Sequence, residues 1–314
     1  GLTGKIVVIG GGMAGITAAK YLRLWGGAGI HVTLVEPSLT YTSNIMSNLV
    51  LNNSRMVSSL AYGYTSVATK YGVMVKQASV QSINTSAKSV TLSDGTVLAY
   101  DRLVVAPGVD FMDAYGLTQS DYDDKTPHAW RAGPQTELLR TQLAAIPSNG
   151  TFVMTIPKAP YRCPPGPYER ACLVADFLKT HKGAASKVIV LDENSSIQAE
   201  VDNFTYAFDT IHRGVIDYRP GATNIQINPD TKAVTYTDPL GSSVTINATA
   251  AILLALYVTV AEKQARGLRP QILQATGQMK QAASRPQRKV TPTSNKAFTV
   301  LLNWTVPASV ASRT

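Results

Sequence analysis

Two groups of residues in this 314-residue chain have the types and spacing to do chemistry. The first is the run Ala159-Pro160-Tyr161-Arg162-Cys163-Pro164-Pro165-Gly166-Pro167-Tyr168-Glu169-Arg170-Ala171, which sets a cysteine beside an arginine among prolines. Each proline fixes its own φ and drives its predecessor out of the α region, so the backbone around Cys163 is stiff. A thiol next to a cation and close to a helix start has the surroundings of a reactive nucleophile. The same residues also read as a proline-rich connection with an incidental cysteine.

The second group is Gly10-Gly11-Gly12-Met13-Ala14-Gly15, with Glu36 following about 20 residues later. Glycines here permit a tight turn and close approach of the backbone to a pyrophosphate, and the helix start offers free N–H groups to it. Glu36 is placed to accept hydrogen bonds from ribose hydroxyls. Gly10, Gly12, Met13, Ala14, Gly15, Glu36 and Pro37 are therefore candidate cofactor contacts. So is the small-residue turn Ala106-Pro107-Gly108 that ends the run Arg102-Leu103-Val104-Val105.

Both groups need a strand before them and a helix after them. Lys5–Ile9 reads as a buried strand, Ile16 to about Trp25 as a helix and His31–Val35 as the next strand. Thr151–Ile156 is an apolar strand, Tyr168–Lys182 carries Ala171, Val174, Ala175 and Leu178 at helical spacing, and Lys187–Asp192 is again a strand. Cys163 thus sits at a strand-to-helix switch, where α/β proteins tend to bind ligands. It stands where a dinucleotide site would carry glycines, which argues against a nicotinamide there. Ser93-Asp94-Gly95-Thr96 is a hairpin turn. Val215–Ile246 reads as short antiparallel strands with turns at Pro229-Asp230 and Pro239-Leu240-Gly241, and Ile252–Leu256 as a strand returning to the first unit. The expected fold class is α/β with two Rossmann-like units. Residues 1–112 form the first and 113–250 the second, with the cysteine loop, and a divergent return segment with a basic tail fills 251–314.

Composition excludes several classes. The longest apolar run, Ala248–Val260, is too short to span a bilayer. The histidines, His31, His128, His181 and His212, have no metal-ligand spacing, so no metal is expected. There is no P-loop and no GxSxG elbow. The net charge of +9 comes from residues 263–314, which hold nine basic residues and no acid. That tail offers only Phe298 and Trp304 for stacking on bases, so nucleic acid is not an expected partner.

The fingerprint with Glu36-Pro37, Tyr41-Thr42, Ser47-Asn48, Tyr100-Asp101 through Gly108, Pro127-His128-Ala129-Trp130-Arg131-Ala132-Gly133, the cysteine run and Lys187–Asp192 together carry a family likeness. The chain resembles the flavoprotein subunit of flavocytochrome c sulfide dehydrogenase, within the larger disulfide-reductase-like flavoproteins. The resemblance is dense from residue 4 to about 192 and thins towards 250. It implies two FAD/NAD(P)-binding units of the glutathione-reductase type, an FAD cofactor, sulfide or polysulfide as substrate, a cytochrome c subunit as electron partner and a periplasmic location. It also implies that Cys163 matches one half of a redox-active disulfide beside the flavin. The family's second cysteine, in a Gly-Trp-Cys-Pro segment, has no counterpart: that region reads Gly277-Gln278-Met279-Lys280, and Cys172 is the one other cysteine. Cys172 is expected to be a small core residue. The family's late Gly-Asp, which reaches the ribityl chain, corresponds to Leu302-Asn303, so Asn303 is the last candidate cofactor contact. Set against the family, the sequence is expected to be a C-terminally shortened member, without the family's C-terminal domain. A family cysteine that can bind FAD covalently corresponds to Ser43 or Asn44, so dissociable FAD is expected. The function implied is FAD-dependent oxidation of sulfide at Cys163. The alternatives are a degenerate, non-catalytic flavin-binding relative and an NADH-linked flavoprotein reductase.

Overall fold

The computed structural model describes residues 2–252, 257–259 and 300–301. The described residues divide into two compact units, 2–41 with 62–110, 258–259 and 300–301, and 42–61 with 111–252 and 257. The second unit thus takes in the segment 42–61, which no linear boundary near 112 would assign to it.

In the first unit, the apolar run Ile6-Val7-Val8-Ile9 forms the central strand β1 (Gly4–Ile9). It turns into helix α1 (Met13–Gly26) and leads to strand β2 (Ile30–Val35). A later strand, β3 (Arg102–Val105), lies on the other side of β1, and Met74–Lys76 and Val300–Leu301 close the edges of a parallel sheet. Successive side chains of a strand point to opposite faces, and β1 is buried on both. Ile6 and Val8 pack with Ala19 of α1, and Val7 and Ile9 pack with Ile83, Val90 and Leu92 of a three-stranded antiparallel sheet. Each such buried aliphatic side chain stabilises the fold by about 2 kcal/mol. Ser93–Thr96 is the expected hairpin turn, closed by the Leu92 N–H donating to the Thr96 carbonyl at 2.8 Å.

The second unit repeats the plan. Strand β4 (Thr151–Ile156), helix α2 (Gly166–His181) and strand β5 (Lys187–Asp192) form a βαβ unit, and β6 (Ile216–Pro220) adds parallel to β5. Phe152, Met154, Val188 and Val190 face Ala171, Val174 and Leu178 of α2, while Val153, Ile189 and Leu191 face an antiparallel sheet of Thr223–Ile227, Ala233–Thr237 and Ser243–Asn247. Two sequence expectations are corrected here. Ile216–Pro220 is a parallel strand, because its partner is β5 rather than the next hairpin. Ala250–Ile252, which overlaps the start of the expected return strand, pairs parallel with β4 and so stays in the second unit. Leu253–Leu256 lie outside the described residues.

Candidate functional site

Register decides what gathers at the carboxyl edge of the first sheet. Ile9 pairs with Val35 on one side and Val105 on the other, so the three strands end level. The residues that follow, Gly10, Glu36 and Ala106, therefore leave the sheet together. Gly10 has φ 97°, and a Cβ there would lie 2.2 Å from the Ala106 carbonyl oxygen and 2.9 Å from Pro107 Cα. Gly15 is tighter still, since a Cβ would lie 1.7 Å from the Gly10 oxygen. The glycines thus let the turn, the helix and the Ala106-Pro107-Gly108 turn pack against one another. Met13 and Gly108 are exposed, Gly12, Ala14 and Pro107 are half-buried, and no side chain caps the first turn of α1.

Glu36 is half-buried, and Pro37 beside it is exposed. One carboxylate oxygen accepts from the Gly11 N–H at 2.8 Å and the other from the Ser38 N–H at 2.9 Å. A carboxylate has about four acceptor positions, so two donors still leave room for ribose hydroxyls. Tyr64, to which the sequence reading gave no role, donates its hydroxyl to the Gly11 carbonyl at 3.0 Å. Burial, aided by Glu36, holds that phenol well above its ordinary pKa, so it stays a donor. This bare backbone cradle with an uncapped helix start and an acid at its rim fits the adenosine and pyrophosphate portion of a dinucleotide. Asn303 lies outside the described residues; the strand Val300–Leu301 just before it runs parallel to β3.

In the second unit the edge is built differently. Ile156 pairs with Asp192, and the chain then takes the loop to α2. That loop is pinned along its length. Asn194 donates to the Pro157 carbonyl and accepts from the Ala159 N–H, both at 2.9 Å. Tyr161 donates to the Pro164 carbonyl at 3.2 Å, and the Gly166 N–H donates to the Cys163 carbonyl at 2.9 Å. Cys163 itself is exposed at φ 58°. Both cysteines are free thiols. Cys172 packs partly buried against the core, and burial pushes its thiol up to about 11.

Asp192 ends β5, where a nucleotide-binding βαβ unit would offer an acid to a ribose. Here it is wholly buried. Tyr168 and Tyr218 donate their hydroxyls to Oδ2 at 2.8 and 2.9 Å, and Asn194 donates its backbone N–H and its amide to Oδ1, both at 2.8 Å. Four donors fill the carboxylate. Burial raises its pKa, while the donors pull the other way.

Arg170 was quoted in the sequence motif but assigned no role. It is wholly buried and donates to Asn48 Oδ1, the His128 carbonyl and the Ala129 carbonyl at 2.8–2.9 Å. The signal was legible: Arg170 falls on the apolar stripe with Ala171, Val174 and Ala175, where an unpartnered charge would be costly. His128 is buried, stacks on Phe111 with centroids 3.9 Å apart, and is held down to about 3 by burial with Arg131 and Arg170 nearby. Ser43 and Asn44 are both engaged: Ser43 Oγ accepts from the Ile45 N–H, and Asn44 accepts from the Ala132 N–H. Among the described residues no three His, Cys, Asp or Glu side chains converge on a metal site, and no helix is long and apolar enough to cross a membrane.

Residues 136–251 match the family described as the sulfide dehydrogenase (flavocytochrome c) flavoprotein chain, central, and residues 4–143 match the pyridine nucleotide-disulphide oxidoreductase family. The ferredoxin–NAD(+) reductase component of the p-cumate 2,3-dioxygenase system of Pseudomonas putida is 38% identical over 112 residues, covering 33% of this chain and 26% of that protein. The ferredoxin reductase component of chlorobenzene dioxygenase from Cupriavidus sp. (strain PS12) is 32% identical over 110 residues, covering 33% of this chain and 25% of that protein. The sulfide:quinone oxidoreductase of Aquifex aeolicus has a similar fold, with a TM-score of 0.65 at 19% identity over 81% of this chain and 58% of that one. Putidaredoxin reductase in its covalent complex with putidaredoxin gives a TM-score of 0.63 at 20% identity, over 85% of this chain and 62% of that one. The chain therefore spans about a quarter of these curated relatives and about three fifths of these solved chains. Bare glycine cradle, α/β fold and two family matches that together run from residue 4 to residue 251 place the chain in the FAD-binding, disulfide-reductase-like flavoprotein superfamily.

Proposed function

We propose that the chain is the flavoprotein part of a sulfide dehydrogenase, oxidising sulfide at Cys163 and passing electrons to a cytochrome c partner. The observation that carries this reading is the exposed thiol of Cys163 on a loop pinned at Pro157, Ala159, Pro164 and Gly166, inside the stretch that matches the sulfide dehydrogenase family. Gly10–Gly15 and the start of α1 would hold the FAD pyrophosphate, and Glu36 the ribose. When bound, FAD supplies a two-electron acceptor. The sulfur of hydrosulfide would form an S–S bond to the Cys163 thiolate as its S–H bond breaks, the proton going to solvent and the two electrons to that acceptor. Cys172, half-buried in its helix, is not disposed to resolve that persulfide. A second sulfide instead attacks the outer sulfur, the bond to Cys163 breaks, and disulfane departs with the Cys163 thiolate restored. Dissociable FAD, a periplasmic location and the cytochrome partner belong to the same reading.

The ferredoxin–NAD(+) reductases among the relatives favour a second reading, an NADH-linked reductase. The filled Asp192 carboxylate and the glycine-free turn after β4 speak for sulfide over a nicotinamide as electron donor. The test is the visible spectrum of the FAD-loaded chain under anaerobic sulfide or NADH. Sulfide bleaching that is lost in Cys163→Ser is expected. Bleaching by NADH alone would transfer the assignment to the reductase, and a chain that takes up no FAD would mark it as a degenerate relative.

A further inference from the structure

Gly166 and Arg170 stand four residues apart on α2 and so share one face of its first two turns. A Cβ on Gly166 would lie 3.2 Å from Cys163 Sγ and 3.3 and 3.4 Å from Cζ3 and Cη2 of Trp130. One turn further on, the Arg170 guanidinium carbon lies 3.4 Å from the centroid of the same indole. The ring therefore runs along this face, its edge close to Gly166, as the thiol is, and its body covering Arg170. The indole Nε1 is buried and makes no hydrogen bond among the described residues. Its placement depends on stacking and on the backbone that leads to it. Arg170 supplies both, because the carbonyls it grips, His128 and Ala129, are the two that precede Trp130.

We infer that Arg170 is a positioning residue that holds Trp130 as a wall against the Cys163 sulfur, so that small reagents reach the thiol in preference to bulky ones. This rests on Cys163 being the reactive group proposed above, but its test needs neither flavin turnover nor sulfide. Rates of Cys163 modification are measured with iodoacetamide, which is small, and with an aromatic disulfide, which is bulky, using Cys172→Ala chains. Because an ångström of displacement changes reactivity by up to about a hundredfold, Arg170→Met is expected to shift the ratio of the two rates by about tenfold towards the bulky reagent. Arg170→Lys, which keeps the cation over the ring, should restore part of the selectivity.

Where Arg170→Met fails to fold, Gly166→Ala serves instead, since the atoms nearest its methyl would be the sulfur and the ring edge. It is expected to change the same ratio about threefold or more. In a chain carrying Trp25→Phe and Trp304→Phe, alkylation of Cys163 should also change Trp130 emission, and Arg170→Met should abolish that response. Unchanged rate ratios in every folded variant, or Trp130 emission indifferent to alkylation, would overturn the assignment. Failure of sulfide to bleach the flavin would leave it standing.

Discussion

At the end of β1 the chain reaches its helix through three residues, all glycine; at the end of β4 it takes nine, four of them proline. Both turns leave the carboxyl edge of a parallel sheet sandwiched between helix and antiparallel sheet. The first strips away side chains so that backbone N–H groups can face an anion. The second fills the same place with side chains and presents a thiol. The acids differ in the same sense. Glu36 keeps acceptor capacity at a half-open rim, whereas Asp192 is buried and saturated by two tyrosines and an asparagine. One framework thus yields a ligand cradle or a closed structural knot, depending on which atoms of the turn reach the edge first.

The sharpest way to break this comparison is a methyl group in each turn. Gly15→Ala would force a Cβ to within 1.7 Å of a backbone oxygen, against 3.2 Å from a side-chain sulfur for Gly166→Ala. Overpacking against backbone predicts a loss of about 3 kcal/mol or more for Gly15→Ala, and no flavin uptake. Chemical denaturation and flavin absorbance check it, and retained FAD affinity would show that the turn does not cradle the pyrophosphate.

The second unit should also carry the stronger pH signature. His128, near 6.5 when unfolded and about 3 when folded, stays neutral in the native state. Its contribution is fully present above the unfolded value and is lost as pH falls from about 6.5 towards about 3, by up to about 1.4 kcal/mol per pH unit. Urea midpoints measured across that range should fall for the parent chain and flatten in His128→Gln. A slope that survives the substitution would place the titration elsewhere.

Asp192 acts in the opposite direction and more weakly. Its folded pKa is raised, so the native state holds the proton longer and loses stability as pH climbs from the unfolded pKa through the folded one. Asp192→Asn should cost about 1–3 kcal/mol through badly paired donors, with the gap to the parent narrowing as pH rises through that window. A gap that widens would mean the carboxylate is stabilised by its four donors more than burial penalises it.

The parts legible in the sequence were those fixed by neighbours along the chain. β4 and β5 occupy their expected spans because apolar runs bounded by breakers define them, and the glycine turn is recognisable because its constraint is local. Pairings made at a distance were not legible. Ile216–Pro220 looks like hairpin material until β5 is seen beside it. Asp192 reads in sequence only as the end of a strand, and the tyrosines that close over it lie 24 and 26 residues away. Arg170 reaches Asn48 across 122 residues, a contact no spacing rule anticipates.

The backbone at Cys163, with φ 58°, is one that an L side chain adopts only at a cost of roughly 1–2 kcal/mol and glycine adopts freely. Folding and chemistry therefore pull this position towards different residues. In a library randomised at 163 and sorted only for folded protein, glycine and asparagine should overtake cysteine, and cysteine should persist only where growth depends on the thiol. The frequency of cysteine after each kind of sorting would measure how far an organism depends on this sulfur, without a substrate ever being named.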